Sequence, residues 1–405
     1  MTKSIENHGS KRSGPITDVR VIELGQLIAG PFCGQLLADL GADVIKIEPP
    51  GKGDPMREWG QGDIPLWWAV CARNKRCITA NLRLAEGQEI VKSLVSQADI
   101  LIENFRPGTL EKWGLGYDVL SKLNPGLILV RVTGYGQTGP YSKRAGYAAI
   151  GEAMAGMRYL TGWPDRPPSR VGLSIGDSLA AIFACNGALA ALHHRDKTGE
   201  GQVVDSAIYE AVLNIMESTI PEYAVSGHTR ERSGSVMPNI APSNLYRCAD
   251  GFFLIAANQD TVFGRLCDAM SLPELKNDSR FSSHPARGEN QGVLDELIEQ
   301  WTNKRPVAEI DELMQRHSVP AGKIFRAVDM LEDPHFAHRD AIVDVPSEQL
   351  ETLKMQNIFP KLSKTPGSIR WAGPEKLGQH NEEVYCDLLG MSEEKLFALR
   401  KTGVI

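Results

Sequence analysis

The stretch DVRVIELGQLIAGPFCGQLLADLGADVIKIE (Asp18–Glu48) decides the fold. A β-branched run, DVRVIEL, leads into a helical pattern, FCGQLLADLGA, and then into a second β-branched run, DVIKIE. Short runs of this kind separated by a helical period are the signature of a βαβ unit, whose strands lie parallel. The same alternation continues outward through CITANL, AEGQEIVKSLVSQA, DILIEN and LILVRV. The expectation is therefore an α/β protein with a Rossmann-like, mainly parallel sheet covered by helices on both faces.

In such sheets ligands bind outside the carboxyl ends of the strands. The segments that follow the strands here are GQLIAGP, EPPGKGD, RLAEG, ENFRPGT and VTGYGQTGP, rich in Gly, Pro and polar residues and several with a cation. Gly25, Gly30 and Gly34 do not have GxGxxG spacing, so they read as close helix packing and not as a dinucleotide loop. The sequence has no P-loop, HExxH or GxSxG motif either, which leaves phosphoryl transfer, zinc peptidase and serine hydrolase chemistry without support.

Composition narrows the class further. With 405 residues and 42% hydrophobic content, two domains with sizeable cores are expected. Lys plus Arg number 44 against 50 Asp plus Glu, a net charge of -6, so no overall basic field points to nucleic acid or an anionic membrane, and an anionic ligand must be met by local cations. The seven cysteines (Cys33, Cys71, Cys77, Cys185, Cys248, Cys267, Cys386) show no CxxC spacing and are odd in number, which suits a reducing cytoplasm. The start, MTKSIENHGSKRSG, reads as a polar tail without a secretory apolar region, and no uninterrupted run approaches the roughly 20 apolar residues of a membrane span.

A change of character comes near Tyr223. SGHTRERSGSVMPNIAPS precedes NLYRCADGFFLIAAN, which has the look of a hairpin turning at Ala249, Asp250 and Gly251, and helical patterns follow in TVFGRLCDAM and NQGVLDELIEQWTNK. We expect the first part of a large domain over residues 15–225, a smaller α+β domain over 226–325, and a C-terminal segment, 330–405, that returns to the large domain.

One acid stands out. RVGLSIGDSLAAIFACNGALAALHH (Arg170–His194) places Asp177 at the mouth of a long run of small and apolar residues. Taken alone, Asp177 is either a helix N-cap or a reacting carboxylate. His193 and His194 lie roughly 25 Å further along the helix at 1.5 Å per residue, where they suit the C-terminal dipole.

The segments VIELGQLIAGPFCGQLLADLGADVIKIEPPGKGD, RNKRCITANL, ENFRPGTLEKWGLGY, TGYGQTGPYSKRAGY, GLSIGDSLAA, HRDKTGEGQVVDSAIYEAVLN and LGQHNEEV occur in this order. Through them the chain resembles the class III CoA-transferase family along nearly its whole length. The resemblance implies an interlaced, ring-like homodimer, each chain having a Rossmann-like large domain built from both ends of the sequence and a smaller central domain. It implies no metal and no tightly bound cofactor, with coenzyme A thioesters as substrate and product. It further implies acyl-CoA and a carboxylic acid as partners, with neither nucleic acid nor membrane.

By the same resemblance, Asp177 attacks the thioester carbonyl of an acyl-CoA to form an aspartyl anhydride and CoA thiolate. The thiolate then releases the first acid and leaves an aspartyl-CoA thioester, and the incoming carboxylate reverses the sequence. A carboxylate with an unperturbed pKa of about 3.9 is ionised at neutral pH and requires no partner base. The CoA-binding positions implied are Ile28 and Ala29 in the first loop, Arg83 after CITANL, Asn104, Phe105 and Arg106 at the end of DILIEN, Lys112 beyond it, and Ala145, Gly146, Tyr147 and Ala148 close to the thioester. Arg and Lys at successive strand ends suit the phosphates of CoA, although each alone reads equally as a solvated charge, and Phe105 as core. Asn74, Lys75 and Arg76 read either as a binding patch or as a polar turn.

ENFRPGTLEKWGLGY with TGYGQTGPYSKRAGY looks nearest the succinyl-CoA:glutarate branch, implying succinyl-CoA as donor and a short dicarboxylate as acceptor. The distal carboxylate would then need a cation or several donors, for which Arg73, Lys143 and Arg144, with Asn239 and Ser243, stand available. The formyl-CoA:oxalate branch has a Gln at the place of Ile28 and a run of glycines at NIAPSN (Asn239–Asn244), which disfavours oxalate. Two other readings remain. An α-methylacyl-CoA racemase has a His at the place of Tyr147, and a phenol is a poor proton acceptor at neutral pH. A non-catalytic CoA-binding subunit of a mixed transferase would not need Asp177.

Overall fold

The computed structural model describes residues 12–60 and 64–405; the first eleven residues of the polar start lie outside the described residues. The chain divides into two compact units. One combines the chain up to Met157 with Gly172–Ser218 and His338–Ile405, and the other combines Arg158–Val171 with Thr219–Ala337.

In the first unit the elements are β1 (Arg20–Glu23), α1 (Ala29–Asp39), β2 (Asp43–Glu48), β3 (Arg76–Thr79), α2 (Ala85–Val95), β4 (Ile100–Glu103), β5 (Ile128–Thr133), α3 (Ala148–Met154), α4 (Ile175–Thr198), β6 (Val203–Ala207) and α5 (Ile208–Asn214). The six strands form one sheet in the order β3-β2-β1-β4-β5-β6, and every neighbouring pair is parallel. The order reverses between β1 and β4, which is where such sheets open a crevice at their carboxyl edge.

Both faces of the sheet are covered, so the strands send apolar residues to both sides, and the charged residues that they carry near their carboxyl ends, such as Glu23, Glu48 and Glu103, are buried too. Val21 lies beside Val44 and Ile100 in register. These residues share one core with Cys33 and Leu37 of α1 and Ala184 and Ala188 of α4. Ile22, one residue on, joins the opposite core with Ile90, Val91 and Leu94 of α2 and with Tyr385, Leu396 and Ile405 from the C-terminal segment. That segment is tied to the sheet by polar contacts too: Tyr385 Oη donates to Thr79 O at 2.7 Å and Asn81 N donates to Val404 O at 2.7 Å.

The direction of α4 follows from its neighbours. It lies between two parallel strands, β5 and β6, and so must run back across the sheet. Near its C-terminus Arg195 pairs at 2.5 Å with Asp99, the residue just before β4, which fixes that end at the amino edge. Its N-terminus therefore stands at the carboxyl edge, beside the loops that follow the strands. By length and mean hydropathy α4 is the one helix among the described residues apolar enough to cross a membrane, although Asp177, Ser178 and Asn186 interrupt it and it holds no continuous apolar run of that length. Its apolarity has another cause here, since Ala180, Ala181, Ala184, Ala188 and Ala191 are buried in the core.

The second unit holds a three-stranded antiparallel sheet, β7 (Ser243–Arg247), β8 (Phe252–Ala256) and β9 (Ala321–Lys323), in that order. The turn expected at Ala249–Gly251 joins β7 to β8, with Cys248 N donating to Gly251 O at 2.9 Å. The two helical patterns read from sequence form helices at Asp260–Ala269 and Gln291–Thr302.

Candidate active site

The loop leaving β1 lies at the point where the strand order reverses. Leu27, in this loop, has φ 62, a left-handed conformation that costs a non-glycine residue about 1 kcal/mol or more. It persists because the loop is held from two sides. Leu27 N donates to Asp54 Oδ1 at 3.1 Å, and Gln26 exchanges hydrogen bonds with the side chain of Asn104 across the β1–β4 crevice. The glycines serve the same packing. A Cβ at Gly25 would lie 3.2 Å from the Gly30 Cα and 3.3 Å from Asn104 Oδ1, so a side chain here would push the loop, the start of α1 and Asn104 apart by a few tenths of an ångström.

Beneath the loop is a cluster of charges that is buried except at Arg57, which is half-buried. Lys46 Nζ contacts Glu23 Oε1 at 2.9 Å, Asp54 Oδ2 at 2.9 Å and Gly25 O at 2.7 Å. Lys75 Nζ contacts the other Glu23 oxygen at 2.7 Å and Pro31 O at 2.7 Å. Glu48 receives Arg57 at 2.6 and 2.8 Å as well as Asp54 N at 2.9 Å. Burial opposes the charge on Lys46, yet the carboxylates of Glu23 and Asp54 hold its pKa well above the usual lysine range. Three cations and three carboxylates balance one another, and removal of Lys46, which pairs with both Glu23 and Asp54, would leave Asp54 without its cation, at a cost of about 3–5 kcal/mol.

This cluster corrects several expectations. Lys75 is a buried structural cation and Asn74 hydrogen-bonds Asp39 and Ser368 O, so these two belong to a structural turn, while Arg76 pairs with Asp43 at the wall of a cavity that it shares with Arg20 and Arg370. Arg73 is also engaged: it grips Asp39 through Nε and Nη2 and donates to Gln356 O, which removes it from the cations offered for a distal carboxylate. Lys143 and Arg144 are exposed, Arg144 lying 3.7 Å over the ring of Tyr141. In the second unit Asn239 has φ 63 and donates its backbone N–H to Gln291 Oε1, and Ser243 opens β7.

Other positions implied by the resemblance fall along the carboxyl edge. Ile28 caps α1 and is half-buried, whereas the Ala29 side chain is in the core and can offer a ligand only its backbone. Asn104 positions the first loop, and Phe105 packs edge-on against Trp113 at 5.2 Å while its N–H donates to Glu103 Oε2 at 2.7 Å. Arg83, Arg106 and Lys112 are exposed, and among the described residues no carboxylate pairs with them. Ala145 is exposed, Gly146 packs against Gly134 and Tyr135 in the loop after β5, Tyr147 is 74% exposed, and Ala148 begins α3 in contact with Gly176. The structure thus joins Ala148 to the first turn of α4 and Asn104 to the first loop.

Asp177 occupies that first turn. The N-cap is Ser174, and no side chain caps this end, so the capping alternative for Asp177 does not hold. The carboxylate is half-buried, and no hydrogen bond or ion pair to it is found among the described residues. Burial, reinforced by the charge of Glu152, pushes its pKa up to about 6, so the unperturbed value assumed from sequence does not apply. At pH 7 the group is still mostly ionised, and as a desolvated anion it is a stronger base and nucleophile than a free carboxylate. Glu152 itself is 3% exposed, and its Oε1 accepts from Gly176 N at 3.3 Å. Sequence reading missed Glu152; the available signal was a lone acid in the apolar run AAIGEAM, the same signal that marked Asp177. Among the described residues no group of three or more His, Cys, Asp or Glu side chains has the arrangement of a metal site.

The chain matches the model of CoA-transferase family III over residues 16–381. A succinyl-CoA–D-citramalate CoA-transferase of Chloroflexus aurantiacus is 58% identical over 395 residues, covering 96% of this chain and 98% of that protein. A succinate–glutarate CoA-transferase of Agrobacterium fabrum is 35% identical over 387 residues, covering 93% and 96% respectively. The crystal structure of a CAIB/BAIF family protein from Brucella suis superposes with a TM-score of 0.84 at 35% identity, covering 93% of this chain and all 100% of that one.

Proposed function

The chain belongs to CoA-transferase family III, and we propose that it moves CoA from succinyl-CoA to a short dicarboxylate by way of covalent intermediates on Asp177. The observation that carries this reading is a half-buried carboxylate, without a partner of opposite charge among the described residues, at the carboxyl edge of a parallel sheet. Its oxygen attacks the thioester carbonyl, a C–O bond forms, and the C–S bond breaks with the electron pair leaving on CoA thiolate. Thiolate attack on the aspartyl carbonyl of the anhydride then frees succinate and leaves an aspartyl-CoA thioester. The acceptor carboxylate attacks this thioester, and the returning thiolate attacks the acceptor-derived carbonyl of the new anhydride, which restores Asp177.

Among the described residues Arg83, Arg106 and Lys112 have no carboxylate partner, so the phosphates of CoA can take them without breaking an existing pair. The choice of acids rests on the two relatives, named for D-citramalate and for glutarate, both five-carbon dicarboxylates. With Arg73 committed to Asp39, Lys143 and Arg144 are the cations left for the distal carboxylate. A homodimer is part of the proposal, supported by exposed apolar side chains on the first unit, among them Ile150, Met154, Leu173, Ile182 and Ile215. A cytoplasmic setting is supported by seven unpaired cysteines.

The test is incubation with succinyl-CoA and a panel containing glutarate, citramalate, malate and the single-carboxylate analogue pentanoate, with new CoA thioesters detected by mass spectrometry. A site built for two carboxylates should reject pentanoate by a factor of roughly a hundred or more in kcat/KM. Equal rates for glutarate and pentanoate would remove the dicarboxylate claim, and hydroxylamine trapping at any residue other than Asp177 would remove the mechanism.

A further inference from the structure

The amino edge of the parallel sheet, opposite Asp177, holds a second concentration of charge. Arg20, Asp43 and Arg76 are the first residues of β1, β2 and β3, and all three line a cavity of about 780 Å³ together with Arg12 and, from the C-terminal segment, Arg370 and Glu383. Pockets that hold small molecules span about 300–1,000 Å³.

The charges at this wall do not balance. Asp43 is shared by three arginines: Arg76 Nη2 and Arg20 Nε reach Oδ2 at 2.6 and 3.0 Å, and Arg12 Nη1 comes only to 3.6 Å from Oδ1. Arg76 also takes Glu383 at 2.9 Å. Arg12 Nη1 is buried, and no hydrogen-bond partner for it is found among the described residues. Arg370 forms no ion pair among them; its Nη2 donates to Asn74 O at 3.1 Å and its face lies 4.0 Å over the Trp371 ring. Burial, and after it the charges of Arg12 and Arg76, hold the pKa of Arg370 down to about 10 in spite of Asp43 and Glu383. Four guanidinium groups thus share two carboxylates, and a desolvated cation without a counter-charge is costly.

The other carboxylates of the cavity do not supply that counter-charge. Glu375 Oε1 accepts from Gln349 N at 2.7 Å and Glu348 Oε1 from Gln379 Nε2 at 3.1 Å, and neither these nor Asp387 pairs with the four arginines. They repel a long anion that would lie along their side, and so favour one whose charge is concentrated against the arginines.

We propose that this cavity is a second ligand site, for a compact polyanion of the phosphate or polycarboxylate type, held by Arg12 and Arg370 beside the Arg20–Asp43–Arg76 cluster. Guanidinium forks meet either oxyanion with paired, charge-assisted hydrogen bonds. The bound anion ties the start of the chain and the C-terminal segment to the amino edge of the sheet, so it stabilises the first unit. The site is at the other edge from Asp177 and does not depend on the nucleophile.

Titration calorimetry of the native enzyme with pyrophosphate and, separately, with citrate tests this, at about 0.15 M ionic strength, with and without saturating CoA. At least one probe should bind once per chain with a dissociation constant below about 1 mM and raise the thermal midpoint. Arg370→Gln and Arg12→Gln should each weaken binding about tenfold or more, the cost of losing a hydrogen bond to a charged group. Arg12 has only the long contact with Asp43, so Arg12→Gln reports on the site even where Arg370→Gln fails to fold. Lys112→Ala should leave the affinity unchanged. Binding of pyrophosphate alone identifies phosphate chemistry and binding of citrate alone polycarboxylate chemistry, and either supports the proposal. Absence of binding by both probes, displacement by CoA, or native affinity in the folded variants overturns it.

Discussion

The side-chain amide of Asn104 and the backbone of Gln26 hold each other in both directions: Gln26 N donates to Asn104 Oδ1 at 2.8 Å, and Asn104 Nδ2 donates to Gln26 O at 2.8 Å. The two residues are far apart in sequence and meet because β4 pairs with β1. The contact joins the loops on either side of the point where the sheet changes direction, and it helps to hold Leu27 in its left-handed conformation.

Asn104→Ala should therefore loosen the first loop. The expected stability loss is about 1–2 kcal/mol for two partly buried hydrogen bonds, and KM for succinyl-CoA should rise about tenfold while KM for the acceptor acid changes little. Urea unfolding and steady-state kinetics check the two parts. Asn104→Asp, which keeps the acceptor for Gln26 N and loses the donor, should fall between the variant and the native enzyme.

Asp177→Asn should abolish transfer and stabilise the fold at neutral pH. Burial and Glu152 raise the native carboxyl to about 6, against about 3.9 when unfolded. Below pH 4 the acid is protonated in both states and has no charge to desolvate. As the pH rises through about 6 the native charge develops and stability is lost. The asparagine variant escapes that loss, so its advantage, on the order of 2 kcal/mol at pH 7.5, should vanish at pH 4. Thermal unfolding of both proteins across this range measures it, and an advantage independent of pH would contradict the desolvated anion.

Gly34→Ala should be severely destabilising despite being a single methyl. The added Cβ would lie 1.9 Å from Glu23 Oε2, the oxygen that holds Lys75. Either α1 moves off β1 or the buried ion pair opens, at a cost of about 3 kcal/mol or more. Denaturant midpoints would show the loss, while Gly51→Ala, with no atom within 4 Å of the new Cβ, gives a control for a positive-φ glycine on the surface.

Replacing Arg83, Arg106 or Lys112 by alanine should weaken succinyl-CoA binding by about five- to fiftyfold each and leave the acceptor nearly unaffected, because each removes one charge-assisted contact with the nucleotide. Stability should hardly change, since no ion pair is broken. Equal effects on both substrates would place these cations elsewhere.

The parallel sheet was legible in sequence because it depends on local pattern. Val21, Val44 and Ile100 lie in β-branched runs separated by helical periods, and a βαβ chain has few ways to bury such runs. The capping alternative at Asp177 showed only that an acid stood near a helix start; the order of seven motifs, and then the family match, supplied the transferase reading.

What the sequence by itself determined was therefore the order of elements, the direction of the strands and so which edge of the sheet is their carboxyl edge, and the acid at the start of α4, since each follows from residue type and spacing along the chain. Only the tertiary structure decided which charges are available. Arg73, Lys75 and Arg106 look alike as cations in sequence, yet the first grips Asp39, the second is buried on Glu23, and the third stands open to solvent. The basicity of Asp177 was decided at the same level. A pKa depends on burial and on charges within a few ångströms, and Glu152, twenty-five residues earlier, comes beside Asp177 only when α3 packs against the first turn of α4.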